Sequence, residues 1–276
     1  MAQGFDDERD FVELVEKIFR KRGVNCGQYK INYLKRRLAV RMRMNSVTSY
    51  REYIRYLDEN PGEYEKFMDT LTINVTQFFR DILTYQGFRE TVLPRVMTAK
   101  RRGIKAIKIW SAGCATGEEP YSIAMILIEI LAKDPDRWNA QVLASDIDKV
   151  VLAKAEAGIF GQESLSKLPE EYLKYFRPSA DEKYEIADEV KRLVKFYEEN
   201  FMNPRPLSGL DVVFCRNVMI YFSRELQYKL YEHFWRALSD KGYLIVGNTE
   251  VLIGETSKLF QPVDIKSRIY QKSSSR

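Results

Sequence analysis

The sequence predicts an α/β protein, in which a doubly wound parallel sheet is covered by helices and follows a separate helical domain. Two observations lead to this prediction. From residue 105 onward, short apolar runs alternate with helical runs, which is the pattern of a parallel sheet with crossover helices. Before them lies a basic stretch whose apolar residues recur at helical spacing.

The chain has 276 residues, of which 45% are hydrophobic and 30% are charged. This composition supports one or two packed domains and excludes a disordered protein. Its longest nearly apolar run is too short to span a bilayer, and its acidic start does not read as a secretory signal. Three widely spaced cysteines suit a reducing compartment. We therefore expect a cytoplasmic protein that is not membrane-embedded.

The chain contains a single histidine, His233, which lies next to Phe234 and Trp235 at helical spacing. The simplest interpretation is a partly buried helix residue. A catalytic triad, a Cys-His pair or a multi-histidine metal site would all depend on this one side chain, so we expect no metal and no histidine base.

The N-terminal part is strongly basic. Between Lys17 and Arg55 there are 12 basic residues and one acidic residue, which leaves 32 basic and 38 acidic residues elsewhere. Within this block, one helix is expected to turn its apolar residues toward a core, namely Ile31, Leu34, Leu38 and Met42. We expect the basic residues of the same helix to face outward: Lys35, Arg36, Arg37, Arg41 and Arg43.

A solvated helix face is the plain alternative, but ordinary surfaces mix charges of both signs. An acidic partner is therefore favoured, and both nucleic acid and a carboxylate-rich protein would qualify. Few aromatic residues other than tyrosine accompany the arginines and no base-reading motif is present, so nucleic acid is not favoured.

Five strands are predicted in the second part, and a hairpin is expected over residues 263–271. The strands cover residues 105–110, 141–145, 193–197, 211–216 and 242–247. Ligands of parallel sheets bind beyond the carboxyl ends of the strands. The residues at those positions are Gly113, Asp146, Asn200, Asn217 and Asn248.

The loop 111–117 spaces its glycines as GxxxG, which alone is a weak signal for a nucleotide site. Asp146, at the end of the next strand, suits the hydroxyl groups of a ribose. Glu118 and Glu119 open the following helix, where the helix dipole stabilises carboxylates whether or not they bind a ligand. Because carboxylates repel a pyrophosphate, this pair favours a cationic ligand such as S-adenosylmethionine.

Two further segments carry potential site residues. In residues 74–81, Phe78 and Phe79 are expected to pack in a core, and Arg80 then lies where a guanidinium usually binds a carboxylate. In residues 215–222, Tyr221 needs a partner for its hydroxyl group if it is buried.

Four segments, residues 74–80, 110–124, 144–148 and 214–222, resemble the signature segments of the CheR family, the chemotaxis receptor methyltransferases. The resemblance covers nearly the whole chain. It implies a helical recognition domain (1–72), an interdomain segment (73–90) and a Rossmann-like methyltransferase sheet domain (91–276). A small β subdomain is expected within that domain, at about residues 165–200.

The resemblance also implies roles for single residues. Arg80 and Tyr221 would be catalytic, with Arg80 near the reacting end of the cofactor. Glu119 would bind the methionine part of S-adenosylmethionine, although the spacing alone does not choose between Glu119 and Glu118. The cofactor-binding residues would be Asn74, Thr76, Arg80, Glu119, Asp146, Asn200, Phe201, Asn217 and Val218. The family pattern Gly-His-Ser-Glu is Gly-Asn-Thr-Glu at 247–250 here, so this loop receives no role.

The implied reaction is methyl transfer from S-adenosylmethionine to glutamates on the cytoplasmic helices of bacterial chemoreceptors, giving methyl esters and S-adenosylhomocysteine. The basic N-terminal helices would recognise these receptor helices. Residues 178–184 lack glycine, so we expect no docking of a tethering peptide from the receptor C-terminus. The alternatives are a methyltransferase of another substrate, such as nucleic acid, and a non-catalytic cofactor-binding adaptor.

Overall fold

The computed structural model describes residues 8–22, 26–71, 75–134 and 137–274. The chain divides into two compact units. The first comprises Met1–Ile73 and Tyr221–Gln227, and the second comprises Asn74–Ile220 and Tyr228–Arg276. The short segment after residue 220 therefore groups with the N-terminal unit, which no pattern in the sequence indicates.

The N-terminal unit is helical. Its α-helices are α1 (Glu8–Arg22), α2 (Ile31–Met44), α3 (Tyr50–Glu59) and α4 (Glu63–Leu71), and a 3-10 turn spans Cys26–Gln28. Ser49 caps α3 by accepting a hydrogen bond from the Glu52 amide, while the Glu52 carboxylate accepts from the Ser49 amide. These reciprocal bonds satisfy amide groups that the first turn of a helix leaves unpaired.

Helix α2 packs on the core of this unit through three of the four predicted residues. Leu34, Leu38 and Met42 are at most 2% exposed. The prediction for Ile31 is wrong, since this side chain is 49% exposed. Ile31 is the first residue of α2, so it lies beyond the turns that pack on the core.

The second unit is built on a seven-stranded sheet with the order β6-β2-β1-β7-β8-β10-β9. The first five strands in this order pair in parallel, whereas β10 is antiparallel to both β8 and β9. The antiparallel pair β9–β10 confirms the predicted hairpin. The strands are β1 (Ala106–Ala112), β2 (Asn139–Asp146), β6 (Val194–Glu198), β7 (Leu210–Cys215), β8 (Leu238–Val246), β9 (Phe260–Asp264) and β10 (Ile269–Lys272).

Helices accompany the sheet as expected from the alternating pattern. The central strand β7 is buried at all six positions, as in strands that are covered on both faces. The α-helices of this unit are α5 (Ile82–Gly87), α6 (Leu93–Lys100), α7 (Glu118–Leu131), α8 (Lys149–Ala157), α9 (Gln162–Leu165), α10 (Asp188–Lys191), α11 (Arg224–Ala237) and α12 (Thr256–Leu259). A π-helical segment, Phe88–Val92, joins α5 to α6.

The strand order places a topological switch point between β1 and β7. From β1 the chain builds outward through β2 to β6, and it then returns to place β7 on the other side of β1. A crevice at the carboxyl ends of two such strands is the usual ligand site of an open α/β sheet.

The inserted subdomain differs in extent from the predicted range of about 165–200. Its sheet has the order β3-β5-β4, formed by Ile159–Gly161, Lys183–Ile186 and Phe176–Pro178. It therefore begins before residue 165. It ends at Ile186, because Val194–Glu198 pairs in parallel with β2 as part of the large sheet.

Across the described ranges, the structure contains no helix with both the length and the apolar character that crossing a membrane requires.

Candidate functional site

The loop after β1 passes close to the end of β7, at the switch point. Gly113 has φ +83°, and a Cβ added to it would lie 2.5 Å from Val218 Cγ2. The backbone amides of Gly113 and Cys114 donate to the carbonyl of Ser145, at 2.8 and 2.9 Å. Gly113 therefore has two reasons to be glycine, a left-handed backbone and a close neighbour.

Asp146 ends β2 and holds this loop. Its Oδ2 accepts a hydrogen bond from the Ala115 amide at 3.0 Å, and its Oδ1 accepts from the Asp148 amide at 3.1 Å. Burial raises the pKa of Asp146, and the two amide hydrogen bonds oppose this rise. Each carboxylate oxygen has a second lone pair, so Asp146 retains the capacity to accept from the hydroxyl groups of a ribose.

Glu118 and Glu119 are both buried in the first turn of α7, but they have different partners. Glu118 accepts from the hydroxyl groups of Thr116 and Ser164, at 2.6 and 3.2 Å. Glu119 accepts from Ser111 at 2.8 Å and from the Arg216 guanidinium at 3.3 Å. Burial raises the pKa of both carboxyl groups.

These carboxylates provide the test of whether S-adenosylmethionine fits the site. Residues 111–119 contain no lysine or arginine, and Asp146 adds a third carboxylate. Of the three, Glu119 pairs with Arg216, whereas Glu118 and Asp146 have no cationic partner in the described ranges. The ligand carries a sulfonium and an ammonium group, which carboxylates attract, together with ribose hydroxyl groups that suit Asp146. A phosphate-bearing dinucleotide would be repelled. The residues present therefore fit the methyl donor.

Residues after β6 and β7 complete the same edge of the sheet. Phe201 is buried and packs edge-on against Trp110, with ring centroids 6.2 Å apart. Asn200 Oδ1 accepts from the Met202 amide at 2.9 Å, which fixes the turn after β6. Asn217 has φ +61° and is followed by Val218, the neighbour of Gly113.

Phe78 and Phe79 anchor the segment that precedes α5, as predicted. Both are buried; Phe78 packs against Phe160, and Phe79 stacks on Tyr172 with ring centroids 4.5 Å apart. The Phe79 amide donates to Ser122 Oγ at 3.1 Å.

Arg80 follows in a half-buried position, and its Nη1 donates to the Val75 carbonyl at 2.8 Å. Within residues 75–134 and the other described ranges, no carboxylate of the chain pairs with Arg80. Thr76 is half-buried four residues earlier. Asn74, the remaining predicted contact of this segment, lies outside the described residues.

Two charged residues of the site were not predicted. The Glu250 carboxylate accepts from the amides of Asn217, Met219 and Gly247 at 2.7–2.8 Å, so it holds the turn after β7. Arg216 contacts both Glu119 and Asp81. Both lie within segments that the sequence already singled out. A charged residue directly after the apolar run 212–215 is the signal that could have identified Arg216.

The basic residues of α2 have unequal environments. Arg36 and Arg43 are exposed, and Arg37 is half-buried with its guanidinium carbon 5.1 Å from the centre of the Tyr33 ring. In the described part of the chain, none of these three pairs with a carboxylate. Lys35, in contrast, forms a 2.9 Å ion pair with Glu8.

The expectation that Arg41 faces outward is wrong. This side chain is 7% exposed and forms two hydrogen bonds to the Glu63 carboxylate, at 2.8 and 2.7 Å. Tyr53 and Asn45 also donate to Glu63. Arg41 therefore stabilises the packing of α2 against α4 and is not available to a partner.

Tyr221 lies in the N-terminal unit and packs on the same aromatic group as Arg37. Its ring centroid is 4.8 Å from that of Tyr33, and its carbonyl accepts from the Lys30 amide at 2.9 Å. His233 is half-buried against Trp110, which confirms that it is a packed helix residue. Burial lowers the pKa of His233, so the ring is neutral at pH 7.

Both parts of the chain match described protein families. "CheR methyltransferase, all-alpha domain" matches residues 9–72, and "CheR methyltransferase, SAM binding domain" matches residues 74–269. A chemotaxis protein methyltransferase 2 of Vibrio cholerae is 34% identical over 249 residues, 88% of this chain and 85% of that protein. Its counterpart in Pseudomonas aeruginosa is 35% identical over 252 residues, 87% and 86% of the two chains. The chemotaxis protein methyltransferase of Escherichia coli is 34% identical over 251 residues, which cover 87% of this chain and 83% of that protein.

Proposed function

Since the chain belongs to the CheR methyltransferase family, we propose that it transfers methyl groups to glutamate side chains on the cytoplasmic helices of bacterial chemoreceptors, giving methyl esters. It is an S-adenosylmethionine-dependent methyltransferase with a role in chemotaxis. The glutamate acceptor, the receptor partner and a cytoplasmic location are the proposed parts.

The basic surface of α2 is the observation that favours this acceptor. Arg36 and Arg43 expose guanidinium groups that no described carboxylate neutralises. A helix rich in glutamates would supply the missing negative charge and, at the same time, the side chain to be methylated.

The chemistry suits a site without a histidine base. A glutamate carboxylate has an unperturbed pKa of about 4.3, so it is already ionised at neutral pH. When bound, S-adenosylmethionine supplies an electrophilic methyl group on a cationic sulfonium. The chain then needs to align the acceptor and exclude water, and alignment alone can contribute about 7–11 kcal/mol.

Named residues can meet these requirements. Glu119 and Asp146 would hold the cofactor through its ammonium and ribose groups, with Thr76, Asn200, Phe201, Asn217 and Val218 around it. Arg80 would hold the incoming carboxylate, and Tyr221 would orient the carboxylate or the methyl group. Arg80 must bind the acceptor carboxylate only moderately tightly, since binding the ground state more tightly than the transition state would slow the reaction.

Transfer of tritiated methyl from S-adenosylmethionine to receptor-containing membranes tests the proposed function. We expect label on the receptor that is released as methanol by base, as for a carboxylic ester. Label on added RNA instead would support a nucleic-acid methyltransferase. Cofactor binding without any transfer would support a non-catalytic adaptor.

Charge reversal on α2 is expected to weaken receptor binding selectively. In the variant Arg36→Glu/Arg43→Glu, the KM for receptor should rise about tenfold at low salt, because like charges then face the acidic helix. The KM of the wild type should itself rise with ionic strength. Steady-state methylation at several salt concentrations measures both effects.

The matched control reverses two exposed arginines of the other unit, Arg95→Glu/Arg102→Glu. It makes the same change in net charge and should leave the receptor KM near the wild-type value. Equal KM changes in the two double variants would show that net charge, and not the α2 surface, governs binding.

The inserted subdomain is proposed not to dock a tethering peptide. Its edge strands β3 and β4 have three residues each, and β4 ends at Pro178, which has no amide hydrogen to donate. A peptide that adds to a sheet gains its affinity from main-chain hydrogen bonds to an edge strand, and strands this short offer few such groups. Calorimetric titration with a receptor C-terminal peptide should therefore give no heat of binding, and binding at micromolar concentration would contradict this expectation.

A further inference from the structure

Arg216 joins two parts of the site that are far apart in sequence. It follows β7 directly and is 6% exposed. Its Nη2 donates to the Arg80 carbonyl and to Asp81 Oδ2, both at 2.8 Å. Its Nη1 donates to Glu119 Oε2 at 3.3 Å. One guanidinium group thus contacts the backbone of Arg80 and the carboxylate of Glu119.

The segment that Arg216 holds has an unfavourable backbone conformation. Phe79 and Asp81, on either side of Arg80, have φ values of +52° and +61°. Residues other than glycine adopt this left-handed region at an energetic cost, so surrounding contacts must maintain it. The two hydrogen bonds from Arg216 to Arg80 and Asp81 are such contacts.

The ion pairs of Arg216 also depend on the position of its guanidinium group. Glu119 and Asp81 both interact with this guanidinium, and Glu119 is 9% exposed. A buried carboxylate without its cation is strongly destabilised. The guanidinium has four acceptors in all, since Nη1 also donates to the Tyr85 hydroxyl group at 3.4 Å. A lysine carries a single ammonium group and cannot reproduce this planar array of donors.

We propose that Arg216 is a positioning residue for methyl transfer, which sets the place of the Arg80 segment and of the Glu119 carboxylate together. The effect on Arg80 rests on the proposed function. The effect on Glu119 concerns the cofactor alone and can be measured without any acceptor.

The variant Arg216→Lys tests this role through two separate readouts. Calorimetry should show about tenfold weaker binding of S-adenosylhomocysteine. This is the loss expected when the charge-assisted hydrogen bond that positions the Glu119 carboxylate is removed. With receptor membranes, kcat should fall about a hundredfold, because misplacing a substrate-holding group has effects of this size. The receptor KM should change little, since the α2 surface is untouched.

Arg41→Lys is the matched control, because it disturbs another buried arginine that binds a carboxylate through two hydrogen bonds. Both variants should unfold at lower urea concentration than the wild type. Only Arg216→Lys should bind S-adenosylhomocysteine more weakly. Wild-type affinity and wild-type kcat in Arg216→Lys would overturn the positioning role, whatever the loss of stability.

If Arg216→Lys does not fold, the variant Asp81→Asn tests the positioning role instead. It weakens one of the two ion pairs and leaves the Glu119 pair in place, so kcat should fall while the affinity for S-adenosylhomocysteine stays within about twofold. An unchanged kcat in Asp81→Asn would contradict the role. If the wild type binds the cofactor but labels no receptor, the proposed function fails, whereas the calorimetric comparison of Arg216→Lys with Arg41→Lys still stands.

Discussion

Replacing Arg80 by alanine is expected to lower the rate of methyl transfer about a hundredfold, because orienting the acceptor carboxylate is a large part of what the site can contribute. Structural damage should be small. The side chain is half-buried, and the hydrogen bond described for its guanidinium is to the carbonyl of Val75. Turnover with receptor membranes and urea unfolding, measured side by side, test both statements.

Arg80→Lys is the informative comparison for this prediction. It preserves the positive charge but not the planar pair of donors that binds a carboxylate at two points. We expect its rate to lie between those of the wild type and the alanine variant. Near-wild-type transfer in Arg80→Ala would exclude the proposed role, and wild-type transfer in Arg80→Lys would reduce that role to charge alone.

Replacing Asp146 by alanine should weaken binding of S-adenosylhomocysteine by about a hundredfold or more. The change removes the proposed acceptor for the ribose hydroxyl groups. It also removes the acceptor for the Ala115 amide, which holds the glycine loop in place. Calorimetric titration of the purified variant measures the loss without any methyl acceptor.

Asp148→Ala provides the control in the same turn. Asp148 caps α8 by accepting from the amides of Val150 and Val151, so its loss should lower stability by about 1 kcal/mol. Cofactor affinity should be retained. Equal losses of affinity in the two variants would mean that the turn as a whole, and not the Asp146 carboxylate, is what the cofactor requires.

Much of the fold follows from local pattern. The buried strands of a parallel sheet are nearly continuous apolar runs, and β1, β2, β7 and β8 all lie within a few residues of their predicted positions. The residues at the strand ends were therefore predictable as well, since parallel strands bring their carboxyl ends to one edge. Asp146, Asn200 and Asn217 lie at this edge.

Pairings between distant residues were not predictable from the pattern. Arg41 has the same helical spacing as other α2 residues, and its burial depends on Glu63, which begins a different helix. Glu250 and Arg216 act on residues more than 30 positions away. The start of the inserted subdomain also depends on strand pairing, because β3 belongs to it through its antiparallel pairing with β5.

Mass spectrometry of receptor peptides tests the central claim most directly. After incubation of the protein with S-adenosylmethionine and receptor membranes, we predict methyl groups on glutamate side chains of the cytoplasmic helices, and none when the cofactor is omitted. Methyl groups found only on other residue types, or an unmodified receptor in the presence of protein that binds S-adenosylhomocysteine, would contradict it.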